Sequence, residues 1–395
     1  MSLNDTPSAN RTHIGFFGRR NAGKSSLVNA VTGQELSIVS DTCGTTTDPV
    51  TKSMEILPLG PVVIVDTPGL DDEGQLGEMR VRRARQVLNR IDIAVVVVDA
   101  TAPLAACDRQ LLALIREKGI PHIVALNKSD LPAARPASSP EQINCSALTG
   151  MGLHELKERI ARTVPVDSGR KMVADLLNPG DLVVLVIPID EAAPRARLIL
   201  PEQLAIREVL DAGALALVAR DTELPQALAG IGRSPQLVIT DSQAFREVSA
   251  VVPPEIPLTS FSILMARYKG FLTEALRGAA AIDTLKDGDR VLIAEGCTHH
   301  RQCNDIGTVK IPRWLAGHTG RKLQIETSSG MGFPEDLSRY DLVIHCGGCM
   351  LTEREMLYRM KCAQDQRVPF TNYGVVIARM TGILERAIAP VTGGR

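Results

Sequence analysis
Near the N-terminus, Gly18-Arg19-Arg20-Asn21-Ala22-Gly23-Lys24-Ser25 fits the pattern G-x-x-x-x-G-K-[ST]. It follows the apolar run Ile-Gly-Phe-Phe at 14–17 and opens the helical pattern Ser-Leu-Val-Asn-Ala-Val that begins at Ser26. A loop in that setting turns its backbone N–H groups around phosphate oxygens, and the following helix start adds positive potential. Strand, loop and helix in this order demand a parallel α/β unit. Gly18, Asn21, Ala22, Gly23, Lys24, Ser25 and Ser26 are the expected phosphate-loop residues. Lys24 reaches the β- and γ-phosphates, and Ser25 ligates Mg²⁺.

Further motifs follow in the matching order. Asp66-Thr67-Pro68-Gly69 ends an apolar run; its Asp66 can hold Mg²⁺ through water, and Gly69 can offer its N–H to the γ-phosphate. Asn127-Lys128-Ser129-Asp130 ends another. The Asp130 carboxylate suits the two donors on a guanine edge that adenine lacks, so it selects GTP over ATP. Asn127 is expected to hold the surrounding loops, the Lys128 stem to cover the base, and Ser146 and Ala147 to close over the guanine.

The rhythm of the chain is α/β throughout. Strands are expected at 14–17, 62–65, 93–99 and 122–127 in a first segment, a P-loop domain with helices on both faces of a parallel sheet. A linker with Pro165, Gly169 and Pro179 follows. A middle segment shows strands at 182–187, 214–219 and 236–240 and helices at 201–212 and 241–250. Val-Val-Pro-Pro-Glu-Ile-Pro at 251–257 reads as its end. A third segment has helices at 263–279, 352–364 and 374–388 and strands at 290–294, 322–326 and 341–345. No internal repeat stands out. The resulting division is 1–168, 175–265 and 266–395.

Composition narrows the function. The 395 residues carry a formal net charge of −1, 3% aromatics and a single Trp, which opposes a basic, ring-bearing nucleic-acid surface. The polar N-terminal stretch lacks the apolar core of a secretory leader, and no apolar run reaches membrane-span length. A cytoplasmic protein without membrane or nucleic-acid partners is expected. In that compartment the eight cysteines read as thiols or metal ligands.

Cys297-Thr298-His299-His300 follows one apolar strand, and His345-Cys346-Gly347-Gly348-Cys349 another. In an open parallel sheet these strand ends share one edge, where ligands bind. Cys297, Cys346 and Cys349 can meet there. The spacing suits structural zinc and an iron–sulfur cluster about equally, with a thiol redox pair as a lesser reading. Cys303 is read as a buried thiol. The arginines at 80, 82, 83 and 85 are read as a solvated helix face.

The nucleotide motifs resemble translation-factor-like small GTPases of the tRNA-modification GTPase (TrmE) and Era branch, on Gly-Arg-Arg-Asn-Ala-Gly-Lys-Ser-Ser-Leu and Ser-Ile-Val-Ser-Asp-Thr-Cys-Gly-Thr-Thr-Thr-Asp. That resemblance implies that Asn21 helps bind K⁺ beside the phosphates and that Thr46 is the switch threonine on Mg²⁺. Leu70 stands where Ras-like enzymes carry a water-orienting Gln, so slow intrinsic hydrolysis is expected.

Adding Cys-Thr-His-His, Asp-Ile-Gly-Thr-Val-Lys-Ile-Pro-Arg-Trp and His-Cys-Gly-Gly-Cys, the whole chain resembles the FeFe-hydrogenase maturation GTPase family (HydF). The resemblance implies a GTPase domain, a dimerisation domain and a 4Fe–4S domain. It puts the cluster on Cys297, Cys346 and Cys349, with His345, His299 or Asp305 as the fourth ligand. It also implies a homodimer that takes a transient diiron precursor from radical-SAM maturases to the apo FeFe-hydrogenase. The competing expectations are an RNA-modification or ribosome-assembly GTPase with a zinc-stabilised C-terminal domain, and an iron–sulfur enzyme with a GTPase sensor.

Overall fold
A computed structural model describes residues 11–33, 50–56, 60–67, 87–164, 169–189, 198–296, 305–330 and 332–393. The chain forms two compact units, 1–168 and 169–395.

The first unit is built on β1 (Thr12–Gly18), β2 (Val50–Ile56), β3 (Gly60–Asp66), β4 (Ile93–Asp99), β5 (His122–Asn127) and β6 (Gln142–Asn144). Their order is β2-β3-β1-β4-β5-β6. The edge strand β2 runs antiparallel to β3, and the other neighbours are parallel. The inner strands are continuous apolar runs because both faces are covered. Along β4, Ile93, Val95 and Val97 enter one core with α1 (Lys24–Thr32). Ala94, Val96 and Val98 enter the other with α2 (Ala106–Glu117). α3 (Leu153–Thr163) adds Leu156 and Ile160 to the first of these. Strand alternation thus splits one run between two cores.

The second unit holds two four-stranded parallel sheets. The first comprises β7 (Leu182–Val186), β8 (Leu215–Ala219), β9 (Leu237–Thr240) and β10 (Leu258–Ser260). Its helices are α4 (Leu200–Asp211), α5 (Leu224–Gly230), α6 (Phe245–Val251), α7 (Phe261–Tyr268) and α8 (Leu272–Ala279). The other sheet comprises β11 (Arg290–Glu295), β12 (Gln324–Ser329), β13 (Leu342–His345) and β14 (Phe370–Asn372). It carries α9 (Ile311–Thr319), α10 (Glu353–Asp365), α11 (Tyr373–Met380) and α12 (Leu384–Thr392).

The strand orders are β10-β9-β7-β8 and β14-β13-β11-β12, the same topology twice. The registers also coincide: Val183 pairs Leu237 and Val186 pairs Thr240, as Val291 pairs Leu342 and Ala294 pairs His345. Superposed by register, Leu-Val-Ile-Thr at 237–240 matches Leu-Val-Ile-His at 342–345. Pro257, Thr259, Ala266, Arg267, Gly270 and Leu272 match Pro369, Thr371, Ala378, Arg379, Gly382 and Leu384 at identical spacing. The expectation of no internal repeat is therefore corrected: the second unit is a duplicated α/β module.

The copies exchange their closing helices. α8, from the first copy, lies against β14: Thr371 Oγ1 donates to Ala275 O at 2.8 Å, and a Cβ on Gly278 would meet Phe370 O at 2.1 Å. α12, from the second copy, packs beside β10. Between them Gly374 N–H donates to Ser262 Oγ at 3.1 Å. Ser262 and Gly374 are equivalent positions, so a local two-fold passes between them. One core joins Val184 and Val238 to Ile293 and Ile344, which is why the copies form a single unit. The helices expected at 263–279 and 374–388 are each broken, at Gly270 (φ 77°) and Gly382 (φ 76°), where the chain turns through the left-handed region. The Pro-rich run at 251–257 is the turn into edge strand β10, not an end of the sheet. The division placed at 265/266 falls inside α7.

Candidate nucleotide and cluster sites
In the first unit the carboxyl ends of β1, β3, β4 and β5 gather the nucleotide motifs on one edge. The loop between β1 and α1 is shaped by two glycines. A Cβ on Gly18 would lie 2.5 Å from Val97 O, and one on Gly23 (φ 80°) 2.2 Å from Asn127 Nδ2. Asn21 also takes a left-handed backbone, φ 63°. Ala22 is buried, Ser25 is half-buried and Ser26 is exposed. Lys24 is buried and its Nζ pairs with Asp66 Oδ1 at the end of β3. Arg19 is tied away from the loop, its Nε 3.0 Å from Asp108 Oδ2 on α2.

Asn127 is the buried keystone of this edge. Its Nδ2 donates to Ala22 O at 3.0 Å, and its Oδ1 accepts from Ala147 N at 3.0 Å. One side chain thereby ties the phosphate loop to the base-closing loop. Lys128, at φ 64°, places its Nζ 2.6 Å from Asp99 Oδ2. Burial pushes the Asp99 carboxyl up, but Lys128 and the Thr101 hydroxyl and amide outweigh it and hold the group below the usual carboxylate range. Asp130 is exposed. Ser146 is buried, and its Oγ accepts from Thr149 N at 3.1 Å. Burial pushes the adjacent Cys145 thiol up to about 12, so it stays a neutral packing group. Thr46, Gly69, Leu70 and the arginines at 80–85 lie outside the described residues.

In the second unit the ends of β11 and β13 are adjacent. Cys346 N donates to Ala294 O at 2.9 Å. The Cys346 sulfur accepts from Gly296 N at 3.1 Å and Gly348 N at 3.4 Å. Burial pushes this thiol above its ordinary range, and the two amides oppose that shift. Gly348 is left-handed (φ 66°), and a Cβ there would strike Met356 Sδ at 2.4 Å, so this turn requires glycine. Cys349 is half-buried against the core that holds Phe261, Leu264 and Met265 of α7. Among the described residues no group of three Cys, His, Asp or Glu side chains is gathered for a metal. Cys297, His299 and Cys303 lie outside those residues; Gly296, whose N–H is on the Cys346 sulfur, is the residue before Cys297. Amides aimed at a sulfur on a glycine-shaped C-x-x-C turn fit a metal-bound thiolate.

His345, a candidate fourth ligand, is turned into the core. Its ring is fully buried, with Nδ1 donating to Cys346 O at 2.8 Å and Nε2 accepting from Arg359 Nη1 at 3.1 Å. No lone pair remains for iron. Burial, with Arg359 beside it, pushes the imidazole down to about 3, so the ring is neutral. Asp305 Oδ1 caps the helical turn Ile306–Lys310 through Gly307 N and Thr308 N at 3.0 and 2.8 Å.

Several side chains at these edges have no distinguishing mark in the sequence. Asp99 merely ends a strand. Arg359 sits four residues after Glu355 on α10, as a solvent-facing helix pair would. Glu295 is buried and accepts from Tyr373 OH at 3.2 Å.

Among known proteins, the 50S ribosome-binding GTPase family model matches residues 13–128. GTPase Der of Wolinella succinogenes is 33% identical over 192 residues, 45% of this chain and 40% of that protein. The tRNA modification GTPase MnmE of a Roseiflexus species is 34% identical over 179 residues, 40% of this chain and 38% of that protein. The chain thus spans less than half the length of these relatives. A crystal structure of Era with MgGDPNP and a 16S ribosomal RNA fragment is 22% identical and covers 53% of this chain and 91% of that one, with a TM-score of 0.36. The hydrogen maturase F dimerization-domain model matches residues 172–270 and the tetramerization-domain model residues 273–390. As these two models together take in more than half of the chain, and a GTPase domain precedes them, the chain belongs to the hydrogen maturase F family.

Proposed function
We propose that this chain is a potassium-activated GTPase and iron–sulfur scaffold that receives a diiron precursor from radical-SAM maturases and delivers it to apo FeFe-hydrogenase in the cytoplasm. The observation that carries this reading is the Cys346 sulfur held by the amides of Gly348 and Gly296, one residue before Cys297, in a chain that also bears the guanine-nucleotide loops.

At the nucleotide edge, Lys24 leaves Asp66 for the β- and γ-phosphates when GTP enters. Asp66 then faces Mg²⁺ with Ser25 and Thr46, so each charge exchanges a protein partner for one on the substrate. The Gly69 N–H takes the γ-phosphate, and Asp130 accepts the guanine N–H pair. Asn21 and the loop at 37–45 hold K⁺, whose charge supplies the stabilisation that an arginine finger gives elsewhere. Hydrolysis is regulatory, because these groups offer no path for electrons.

At the cluster edge, Cys297, Cys346 and Cys349 would hold the cluster through their thiolates. The cluster supplies an iron with a displaceable ligand at which a metal precursor can dock. With His345 committed to the interior, His299 and Asp305 remain for the fourth position. The domain layout is a GTPase module at 1–168 followed by the dimerisation and cluster-bearing modules. Edge strand β8 supports a homodimer: it lies inside the dimerization-domain match, and Leu215 and Val218 are 54% and 46% exposed on it. An unpaired apolar edge is a template for a second copy.

Anaerobic purification with iron, sulfide and zinc assays and an absorption spectrum tests the reading. Four irons and matching sulfide per chain are expected. Zinc without sulfide would overturn it in favour of a ribosome- or tRNA-directed GTPase with a zinc-stabilised C-terminal half.

A further inference from the structure
The duplication supplies an internal comparison for the cluster edge. The two copies share strands, registers and closing helices, so whatever differs at their equivalent edges is not required by the fold. Cys346 and Cys349 of the second copy correspond to Asp241 and Ala244 of the first, and His345 to Thr240. Thr240 Oγ1 donates to Asp241 O at 3.3 Å, just as His345 Nδ1 donates to Cys346 O. In the first copy a hydroxyl makes this contact, and Asp241 Oδ1 accepts from Gln243 N at 3.1 Å. The helix after that loop, α6, carries Arg246 exposed to solvent. The helix after the second copy's loop, α10, instead carries a buried guanidinium.

That guanidinium belongs to Arg359, which is 1% exposed. It donates from Nη1 to His345 Nε2 at 3.1 Å, from Nη2 to Gly330 O at 2.6 Å and from Nε to Glu355 Oε1 at 2.9 Å. It also lies 5.0 Å from the Phe333 ring centroid. Gly330 in turn donates its N–H to Glu295 O at 3.0 Å. One planar fork therefore holds the ends of β12 and β13 directly and that of β11 through Gly330. Burying a guanidinium costs several kcal/mol unless its partners are well placed. The sister copy folds without this group, so the cost is tied to what sits on this edge.

We propose that Arg359 is a positioning residue of the cluster site: through His345 it fixes the Cys346 peptide on which the thiolate is carried. The inference rests on the reading of Cys346 as a cluster ligand. A lysine in place of arginine keeps the charge but cannot reach His345 and Gly330 in the same fixed geometry. Partners of a metal ligand that fix its orientation tune the metal in the same way at other sites.

The test uses the full-length protein. Arg359→Met alone would take the guanidinium from the buried Glu355 carboxylate, so it is combined with Glu355→Gln. Three quantities are read: amide exchange over residues 345–351 in metal-free protein, the paramagnetic spectrum of the reduced cluster, and the cluster's midpoint potential. In the double variant, exchange at the Cys346–Gly348 amides is expected to rise about tenfold or more, with the spectrum and the potential both changed. Arg359→Lys is expected to show raised exchange and a changed spectrum, because it keeps the charge and loses the fork. His345→Thr copies an arrangement that this chain already folds in its first module, and it covers the case of a double variant that fails to fold. It is expected to change the spectrum because it cuts the link to Arg359. A folded double variant with unaltered exchange, spectrum and potential would overturn the inference, as would an unaltered His345→Thr protein. Wild type that binds zinc or no metal would instead refute the cluster reading on which it rests.

Discussion
Asn127 gives its amide to the phosphate loop and its carbonyl to Ala147, with no exposed surface to compensate a loss. Asn127→Ala is expected to weaken GTP binding by about 10–100-fold, the value of two or so buried hydrogen bonds, as read by nucleotide titration. A fall of less than about twofold would remove Asn127 from its holding role. Asp130→Asn is expected to cost on the order of 2–3 kcal/mol against GTP and to erase the preference over ATP, because a buried donor pair on the base loses its charged acceptor. Competition between GTP and ATP checks this, and equal affinities in wild type would contradict the assignment. At this scale the placement of the nucleotide motifs was legible: Gly18, Asp66 and Asn127 end β1, β3 and β5, and Gly23 and Lys24 open α1, because the motifs include the flanking strand or helix. The inward turn of His345 was not legible, because adjacency to Cys346 suggests a shared role. Successive residues at a strand end point to opposite faces, so the neighbour of an outward cysteine points inward.

Individual elements carry their own consequences. Glu202 in the first turn of α4 accepts from Ile199 N at 2.8 Å. Burial drives its carboxyl up to about 7, with the Asp241 charge adding and the Ile199 amide opposing. The folded state therefore binds this proton more tightly than the unfolded state. That stabilisation is fully present below the unfolded value of 4.5 and is lost as pH rises through about 7. Glu202→Gln keeps the acceptor but not the titration. The loss of melting temperature of the second unit between about pH 5 and about pH 8 should shrink in this variant; an unchanged loss would show that Glu202 does not titrate there. On β8, Leu215→Asp with Val218→Lys is expected to shift the protein toward monomer, as measured by sedimentation. A dimer of unchanged affinity would place the contact elsewhere. Strand positions were legible from apolar runs. The breaks at Gly270 and Gly382 were not, because each glycine interrupts a helical pattern that resumes in phase.

The whole molecule consists of a nucleotide unit and a duplicated unit, each with its own core. Cys297→Ser, Cys346→Ser and Cys349→Ser are expected to lose iron while retaining GTP hydrolysis. Lys24→Ala should lose hydrolysis and keep iron. Loss of both functions in folded cysteine variants would contradict this separation. The duplication escaped the sequence reading because its matches are one short apolar strand, which any two parallel sheets share, and six scattered positions across 257–272 and 369–384. The chemically distinctive positions, Cys346 and Cys349 against Asp241 and Ala244, are the ones that differ. Strand order and register expose it, since neither can be read from composition. The central claim is that this one chain carries a metal precursor on its cysteine edge to a hydrogenase. The direct measurement is activation of purified apo FeFe-hydrogenase by protein isolated from cells that contain the radical-SAM maturases. Wild-type protein is expected to restore hydrogen production, and Cys346→Ser protein, folded and still hydrolysing GTP, to restore none. Equal activation by both, or none by iron-loaded wild type, would contradict the account.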